Sequence, residues 1–245
     1  MGTHTAACNG PTQGDQSVSS VPGFLYLLAT LASYAAAKWL YRRYRRAWLS
    51  PLLLAPAVLL VLLLVSRASY LVYARDTHWL LWMMGPATVA YAYPIYQRRG
   101  LLQRYPVTLI VGILAGLCLG LLSSWALGLM LALPPEIAHS LLPRSVSTPF
   151  AIVASRYFGG SPNITVLCVL ATGLFGMLVG EGVQARLGLR SSLSRGASLG
   201  ASAHAAGTAK AYELDSEIGA VASLTMVFSG ILMVLLAPHL SAIFG

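Results

Sequence analysis

Eight apolar segments, joined by short connections, make up nearly all of the chain after residue 22. Such runs are typical of helices that cross a membrane, for which about 20 residues suffice. The chain is 57% hydrophobic and only 9% charged, far from the roughly 25% charged residues of a soluble domain. We therefore predict an all-α polytopic membrane protein with seven or eight transmembrane helices. The segments cover roughly residues 23–41, 51–71, 79–97, 105–133, 141–158, 163–187, 196–214 and 218–243.

The first 22 residues are polar and rich in Gly, Ser, Thr and Gln. This composition predicts a disordered N-terminal tail, residues 1–22, ahead of a transmembrane domain over residues 23–245. The tail contains no basic stretch of the kind that opens a signal peptide. We therefore expect the first apolar segment to be retained as a span.

The basic residues orient the spans. The net charge is +9, and clusters of Lys and Arg beside helix ends mark the cytoplasmic face of a membrane protein. One cluster, residues 38–46, follows the first segment, and another, residues 98–104, follows the third. We expect a protein of the inner (plasma) membrane, and the charges predict that its N-terminus is outside and its C-terminus inside. The arginines of residues 41–46 alternate with tyrosines, but they directly follow an apolar segment, so we expect no nucleic-acid partner.

The segment 141–158 contains Pro143 and Pro149 and is followed by glycines, which predicts an interrupted or re-entrant element. If segment 141–158 crossed the membrane completely, the arginines of residues 186–195 would lie outside. This would contradict the rule that basic residues mark the cytoplasmic face. Residues 85–93 also resemble residues 206–212, about 120 residues later. With 141–158 re-entrant, these two copies run in opposite directions. The pattern predicts an inverted repeat whose interrupted segments meet near the membrane midplane.

The run of residues 196–211 is unusual because Leu199 is its only large apolar side chain. At membrane depth it fits only if other helices enclose it or if it lines a wet cavity. Lys210 would contact a carboxylate substrate there, or pair with Glu213 on the same helix. His204 would be a hydrogen-bonded core residue or a proton carrier.

Hydroxyl side chains form the rest of the candidate substrate site. Ser145, Ser147 and Thr148 precede Pro149 and would bind an anion where the helix breaks, or only cap the helix that resumes there. At equivalent places of the proposed repeat, Thr88 and Thr208 would bind the same ligand or bond back to a preceding carbonyl.

Two arginines, Arg144 and Arg156, flank the interrupted segment. Either one could hold a carboxylate through two parallel hydrogen bonds, although a position at the membrane interface with the head in water is the favoured interpretation.

The sequence carries no pattern that would indicate an enzyme. None of the three cysteines has metal-ligand spacing, and neither a phosphate loop nor a nucleophile triad is present. We predict no catalytic residue, no metal and no cofactor.

Four stretches resemble the LrgB/CidB family of integral membrane proteins, and the likeness covers nearly everything after residue 23. They are residues 85–90, 142–149, 172–176 and 203–210. The resemblance implies a holin- or antiholin-like regulator of murein hydrolase activity and cell lysis. It also implies a relation to the plastid glycolate/glycerate translocator and to pyruvate movement, and a small LrgA/CidA-like membrane protein as partner.

The chain departs from the family pattern at three places. Val153 stands where a glutamate is common, so that any proton coupling needs another group. Ser50 stands where an asparagine is common, and the hydroxyl before His204 is displaced to Ser202.

Two functions remain open. Polar residues at one enclosed site favour a transporter of small monocarboxylates (pyruvate, glycolate or glycerate), linked to protons through His204. A lesion-forming, holin-like regulator would instead need one polar face along an oligomer. In both cases we expect a homo-oligomer in the lipid bilayer.

Overall fold

The structure is a computed structural model that describes residues 23–44, 49–66, 70–90, 92–97 and 99–244. The predicted tail, residues 1–22, lies outside the described residues. All regular structure in the described part is helical. The chain divides into two compact units, residues 1–79 and 80–245, and each is described by itself.

In the first unit, α1 (Gly23–Tyr44), α2 (Pro51–Val65) and α3 (Tyr70–Asp76) are the main helices. Helix α1 packs against both others. Its Thr30 hydroxyl lies 3.1 Å from the Tyr73 hydroxyl of α3, and the Tyr26 and Tyr73 rings meet edge to face.

The predicted segment 79–97 is not one continuous helix. It is interrupted at Met83, between α4 (Trp79–Trp82) and α5 (Met84–Ala90); α6 (Ala92–Gln97) and α7 (Arg99–Arg104) are the next helices of the described residues. Gly85 and Pro86 follow this interruption, and a proline disfavours helix in the turn before it because it lacks an N–H donor and clashes with that turn.

Three helices of the described residues are long and apolar enough to cross a membrane. They are α8 (Pro106–Met130), α11 (Pro162–Arg186) and α13 (Ser216–Phe244). They coincide with three of the predicted segments, and the chain is a membrane protein. The predicted total of seven or eight spans is not confirmed.

Local sequence explains where these helices begin and end. Pro106 and Pro162 open α8 and α11, since the first turn needs no N–H donor. Gly188 ends α11 with φ +66°, and the Leu189 N–H donates to the Gln184 carbonyl at 3.0 Å. This 6→1 hydrogen bond around a residue in the left-handed conformation is the Schellman motif, in which glycine is favoured at the left-handed position.

Between α8 and α11 the chain forms a re-entrant hairpin over residues 135–158, which we call the first hairpin. Its entering arm contains α9 (Pro135–Leu141) and the 3₁₀ turn Leu142–Ser145, and α10 (Thr148–Tyr157) is its return arm. The tip, at Val146 and Ser147, is extended.

Contacts fix the direction of the first hairpin. Ala138 packs on Gly128 and Ser145 on Gly120, so the entering arm runs antiparallel to α8. After the tip, α10 brings the chain back until Gly160 lies against Ser140. The predicted interruption of segment 141–158 is therefore present, and both ends of the hairpin lie near the start of α11.

Helix α12 (Ser192–Leu214) is a second hairpin, with its tip at His204. His204 has φ 39° and ψ −125° and interrupts the helix. Its first arm, residues 192–203, runs antiparallel to α11, because Leu199 packs on Gly180 and Ala203 on Gly176. Its second arm, residues 205–214, runs back along the first.

Two observations establish this reversal. Gly207 lies against the Leu199 carbonyl, eight residues earlier, whereas eight residues of straight helix span about 12 Å. Lys210 reaches Glu181, which lies on the part of α11 that faces the first arm. The prediction that segment 196–214 crosses the membrane is therefore wrong.

The reversal also changes the expected symmetry. Leu109 of α8 clusters with Leu224 of α13, and Trp125 meets Phe244, so α8 and α13 run in the same direction. Helices α8 and α13 follow the two predicted repeat copies. If the copies were inverted, these two helices would run in opposite directions. The structure instead shows an inversion between residues 135–186 and 192–244, each a hairpin followed by a long helix.

Candidate anion site

The two hairpins enter from opposite ends of α11 and reach the same part of it. From the first hairpin, Arg144 Nη1 donates to Thr172 Oγ1 at 3.4 Å. From the second, His204 Nε2 lies 3.0 Å from the Val169 carbonyl oxygen, and its ring packs on Gly173. Residues 169–173 are near the middle of α11, so both tips lie deep in the helix bundle.

A cavity of about 680 Å³ leads to the tip of the first hairpin. It is bounded by α8, α11, the turn at residues 144–145 and the first arm of the second hairpin. It extends from Leu187, near the end of α11, to Thr172, roughly 22 Å along that helix. Its walls are largely apolar, and its polar lining residues are Thr108, Ser123, Arg144, Ser145, Thr172, Ser194, Ser198 and Ser202.

Arg144 is the charged group of this cavity. Its side chain is half-buried, and three hydroxyl oxygens accept its hydrogen bonds: Nε donates to Ser124 at 2.8 Å, Nη2 to Ser123 at 3.1 Å and Nη1 to Thr172. The Ser123 and Ser124 hydroxyls both donate to the Gly120 carbonyl, which turns their lone pairs toward the guanidinium. None of the ion pairs found in the described part of the chain involves Arg144.

Ser145 lies beside Arg144 and also lines the cavity. It is only 6% exposed, and its Oγ has no hydrogen-bond partner among the described residues. A buried hydroxyl without a partner is unfavourable by about 1–3 kcal/mol and calls for an explanation. The hydroxyl occupies the space that a Cβ at position 120 would take, so Gly120 is needed there.

The other predicted site residues of the first hairpin lie at its tip. Ser147 is buried at the N-cap position of α10, but its side chain makes no capping hydrogen bond. Thr148 is the first residue of α10 and is half-buried. Neither residue lines the cavity.

The predicted residues of the second hairpin are divided between two places. His204 is 5% exposed at the tip, where it meets the same part of α11 as Arg144. Thr208 is 2% exposed and contacts the Met226 sulfur at 3.6 Å. The structure therefore brings the imidazole near the hydroxyl-rich break.

Lys210 lies elsewhere, between two carboxylates. Its Nζ is 3.3 Å from Glu181 and 3.5 Å from Glu213, so the local pairing considered as the alternative is present. The contact between Glu181 and Lys210 depends on the reversal at His204.

One predicted residue cannot be placed relative to the cavity. Thr88 belongs to α5, but its side chain lies outside the described residues.

Ser123, Ser124 and Thr172 were not among the predicted site residues, and Arg144 was interpreted as an interfacial group. One signal was available, because Ser123 and Ser124 are adjacent hydroxyls within the strongly apolar run of α8. Paired hydroxyls at membrane depth need a polar partner.

Comparison with known proteins places the chain in a family. The sequence profile of the LrgB-like family matches residues 30–243. The uncharacterized protein YwbG of Bacillus subtilis (strain 168) is 38% identical over 218 residues, covering 89% of this chain and 97% of that protein. The holin-like protein CidB of Staphylococcus epidermidis is 32% identical over 220 residues (90% and 96%), and that of Staphylococcus aureus (strain Mu50) is 31% identical over 225 residues (91% and 98%). No solved structure matches significantly. The chain belongs to the LrgB-like family of membrane proteins, as its motifs indicated.

Proposed function

We propose that this protein transports small monocarboxylate anions and binds them at Arg144. The architecture supports this, since interrupted segments that meet near the midplane are a recurrent plan for transporter binding sites. The cavity then serves as an entry vestibule from the end of the bundle formed by residues 183–202.

The observation that carries the proposal is the hydrogen bonding of the Arg144 guanidinium. A guanidinium has five N–H donors, and three bond to hydroxyls. One N–H on each terminal nitrogen remains, which is the arrangement that holds a carboxylate through two parallel hydrogen bonds. A buried charge without an ionic partner is unfavourable, so a bound anion completes the site.

The chemistry of the cavity favours a small anion with a single negative charge. Arg144 is the only charged residue that lines it in the described part of the chain, so a second carboxylate would be left without a counterion. Ser145 supplies a further hydrogen-bonding group beside the guanidinium. Pyruvate, glycolate and glycerate are the candidates that the family resemblance adds.

Proton coupling through His204 would use one particular atom. A carbonyl oxygen only accepts hydrogen bonds, so Nε2 must carry the proton shared with Val169. The transported proton would then bind Nδ1.

The test is uptake of labelled pyruvate and glycolate into proteoliposomes. Arg144→Lys keeps the charge but loses the paired donors, and a charged hydrogen bond contributes about 1.5–3 kcal/mol. We expect KM to rise roughly 10- to 150-fold, and Arg144→Gln to abolish uptake. Arg156→Lys is the matched control, because Arg156 is exposed at the far end of α10. Unchanged uptake by Arg144→Gln, or no saturable uptake by the unmodified protein, would contradict the proposal.

A second function is supported by the names of the CidB relatives, which are called holin-like. We propose as the alternative that the protein forms membrane lesions and regulates murein hydrolases and cell lysis, with an LrgA/CidA-like partner. Release of a trapped dye larger than the vestibule from the same proteoliposomes, with and without that partner, separates the two functions. A lesion would release the dye and would not depend on Arg144.

We derive the orientation in the inner membrane from the distribution of basic residues, as before, but the second hairpin no longer counts as a crossing. If the basic residues near 186–195 are cytoplasmic, the second hairpin enters and leaves on that side. Helix α13 then crosses outward, so we propose that the C-terminus is outside, opposite to the orientation expected when segment 196–214 was counted as a crossing.

A further inference from the structure

A second buried hydroxyl without a partner lies on α13, away from the residues that line the cavity. Ser229 of α13 is 2% exposed, and its Oγ has no hydrogen-bond partner among the described residues. Nearby hydroxyls of the same helix behave differently: Ser223 and Thr225 each donate to the carbonyl four residues earlier. The Ser229 side chain is therefore free to bind something else.

The neighbours of Ser229 place it between the two hairpins. Met226, three residues earlier on the same face, contacts Thr208 of the second hairpin. Gly230, the next residue, packs on Phe150 of the first hairpin. Ser229 thus lies where both hairpins meet α13.

The register of the second hairpin brings backbone oxygens toward the same place. Gly196 packs on Val221 and Gly200 on Ala222, so the first arm runs parallel to α13 and ends about one turn before Ser229. A helix leaves its last four carbonyls without partners in that helix. The carbonyls that end the first arm, at residues 200–203, point along the arm axis, which is the direction in which Ser229 lies on α13.

We propose that Ser229, Thr208 and the carbonyl oxygens of residues 200–203 form a site for a monovalent metal cation, such as sodium. Oxygens of hydroxyls and interrupted helices are the ligands that transporters use for such cations. Divalent cations are disfavoured because Ca²⁺ and Mg²⁺ sites use carboxylates, and no acidic residue lies on either element near these positions. The nearest carboxylates on the hairpin and on α11, Glu213 and Glu181, are paired with Lys210.

Such a cation would couple to the anion at Arg144, a role that rests on the proposed function. Both sites involve the hairpin tips, and each ligand would help to fix the tips against α11 and α13. Cation binding would then raise the affinity for the carboxylate, and carboxylate binding would raise the affinity for the cation by the same factor.

The first experiment measures cation binding without any transport. Thermal unfolding of the purified protein in detergent is followed in choline chloride, NaCl, LiCl and KCl at equal ionic strength. We expect the midpoint to rise with the concentration of one metal cation. Ser229→Ala and Thr208→Val should each raise the half-saturating concentration at least tenfold. Ser223→Ala, a buried serine on the same helix, is the matched control and should leave it unchanged.

The second experiment measures coupling. Pyruvate uptake is compared in sodium and choline buffers, with and without a pH step, for the unmodified protein and Ser229→Ala. We expect uptake to require the cation, and we expect Ser229→Ala to need a higher cation concentration for half-maximal uptake. Equal uptake in all cations, driven by the pH step alone, overturns the coupling, and identical unfolding midpoints in all four salts overturn the site. A cation-dependent midpoint without saturable uptake would refute the proposed transport and leave the cation site standing.

Discussion

The ion pair between Glu181 and Lys210 provides a direct test of the second hairpin. If α12 were straight and antiparallel to α11, the contacts of Leu199 with Gly180 and of Ala203 with Gly176 would place Lys210 near residue 169. That position is about 12 residues from Glu181, or about 18 Å along the helix. The observed separation of Nζ and Oε2 is 3.3 Å, so the pair exists only if the chain reverses.

The expected coupling energy follows from that distance and from exposure. Two unit charges 3.3 Å apart attract by about 5 kcal/mol at an effective dielectric constant of 20. The Glu181 side chain is 42% exposed and that of Lys210 is 20% exposed, so solvent screening reduces the value to about 1 kcal/mol. At about 18 Å, beyond the Debye length, the coupling would be near zero.

The measurement is a double-mutant cycle with Glu181→Gln and Lys210→Met, read as the free energy of unfolding in mild detergent. The cycle is done in a Glu213→Gln background, since Glu213 also binds Lys210. We expect a coupling of about 0.5–1.5 kcal/mol. The Lys210–Glu213 cycle is the control, because that pair is three residues apart and forms in either fold. A coupling between Glu181 and Lys210 within about 0.3 kcal/mol of zero, in folded variants, would refute the hairpin.

Three further predictions concern packing, strain and the anion site. Gly176→Ala should destabilise the protein by about 1–3 kcal/mol, because the added Cβ would meet the second hairpin, whereas Gly182→Ala, with nothing within 4 Å, should be neutral or stabilising; both are measured by denaturant unfolding. His204 has φ 39°, a region that favours glycine, so His204→Gly should be more stable than His204→Ala by about 1 kcal/mol, and equal stabilities would contradict the strain. Ser124→Ala removes the acceptor for Arg144 Nε and should raise KM for the carboxylate about 2- to 12-fold; an unchanged KM would show that Ser124 does not position the guanidinium.

The long apolar helices were predictable because each has the length and composition of a membrane span. Helices α8, α11 and α13 follow the predicted segments to within a few residues, and the interruption between α9 and α10 was predicted from Pro143, Pro149 and the glycines that follow. The reversal at His204 was not, because no proline or glycine marks it. A left-handed turn at histidine leaves no recognisable pattern, and the whole segment is about as long as one span.

Only part of the candidate site could be predicted, because the depth of each residue in the bundle depends on the tertiary fold. The expected hydroxyls near Pro149 include Ser145, whose side chain lines the cavity. Arg144, the neighbouring residue, was interpreted as an interfacial group because long basic side chains at segment ends usually extend into water. Which end of a segment lies deep in the bundle depends on the tertiary fold, and here the hairpin carries its own end inward.

The composition of residues 196–211 follows from the hairpin. Arms of 12 and 10 residues are about 18 and 15 Å long, which carries a tip from one surface to about the middle of a hydrocarbon core roughly 30 Å thick. Two arms side by side must fit among α8, α11 and α13, and the contacts with each are made through glycine or alanine: Gly116 with Ala201, Gly176 with Ala203, and Gly200 with Ala222. Close approach of backbones requires such residues, whereas leucines, which a lipid-facing span would use, would not fit. The same packing keeps the hairpin's polar groups away from lipid, and therefore the low bulk of this segment and the burial of His204 and Thr208 have one cause.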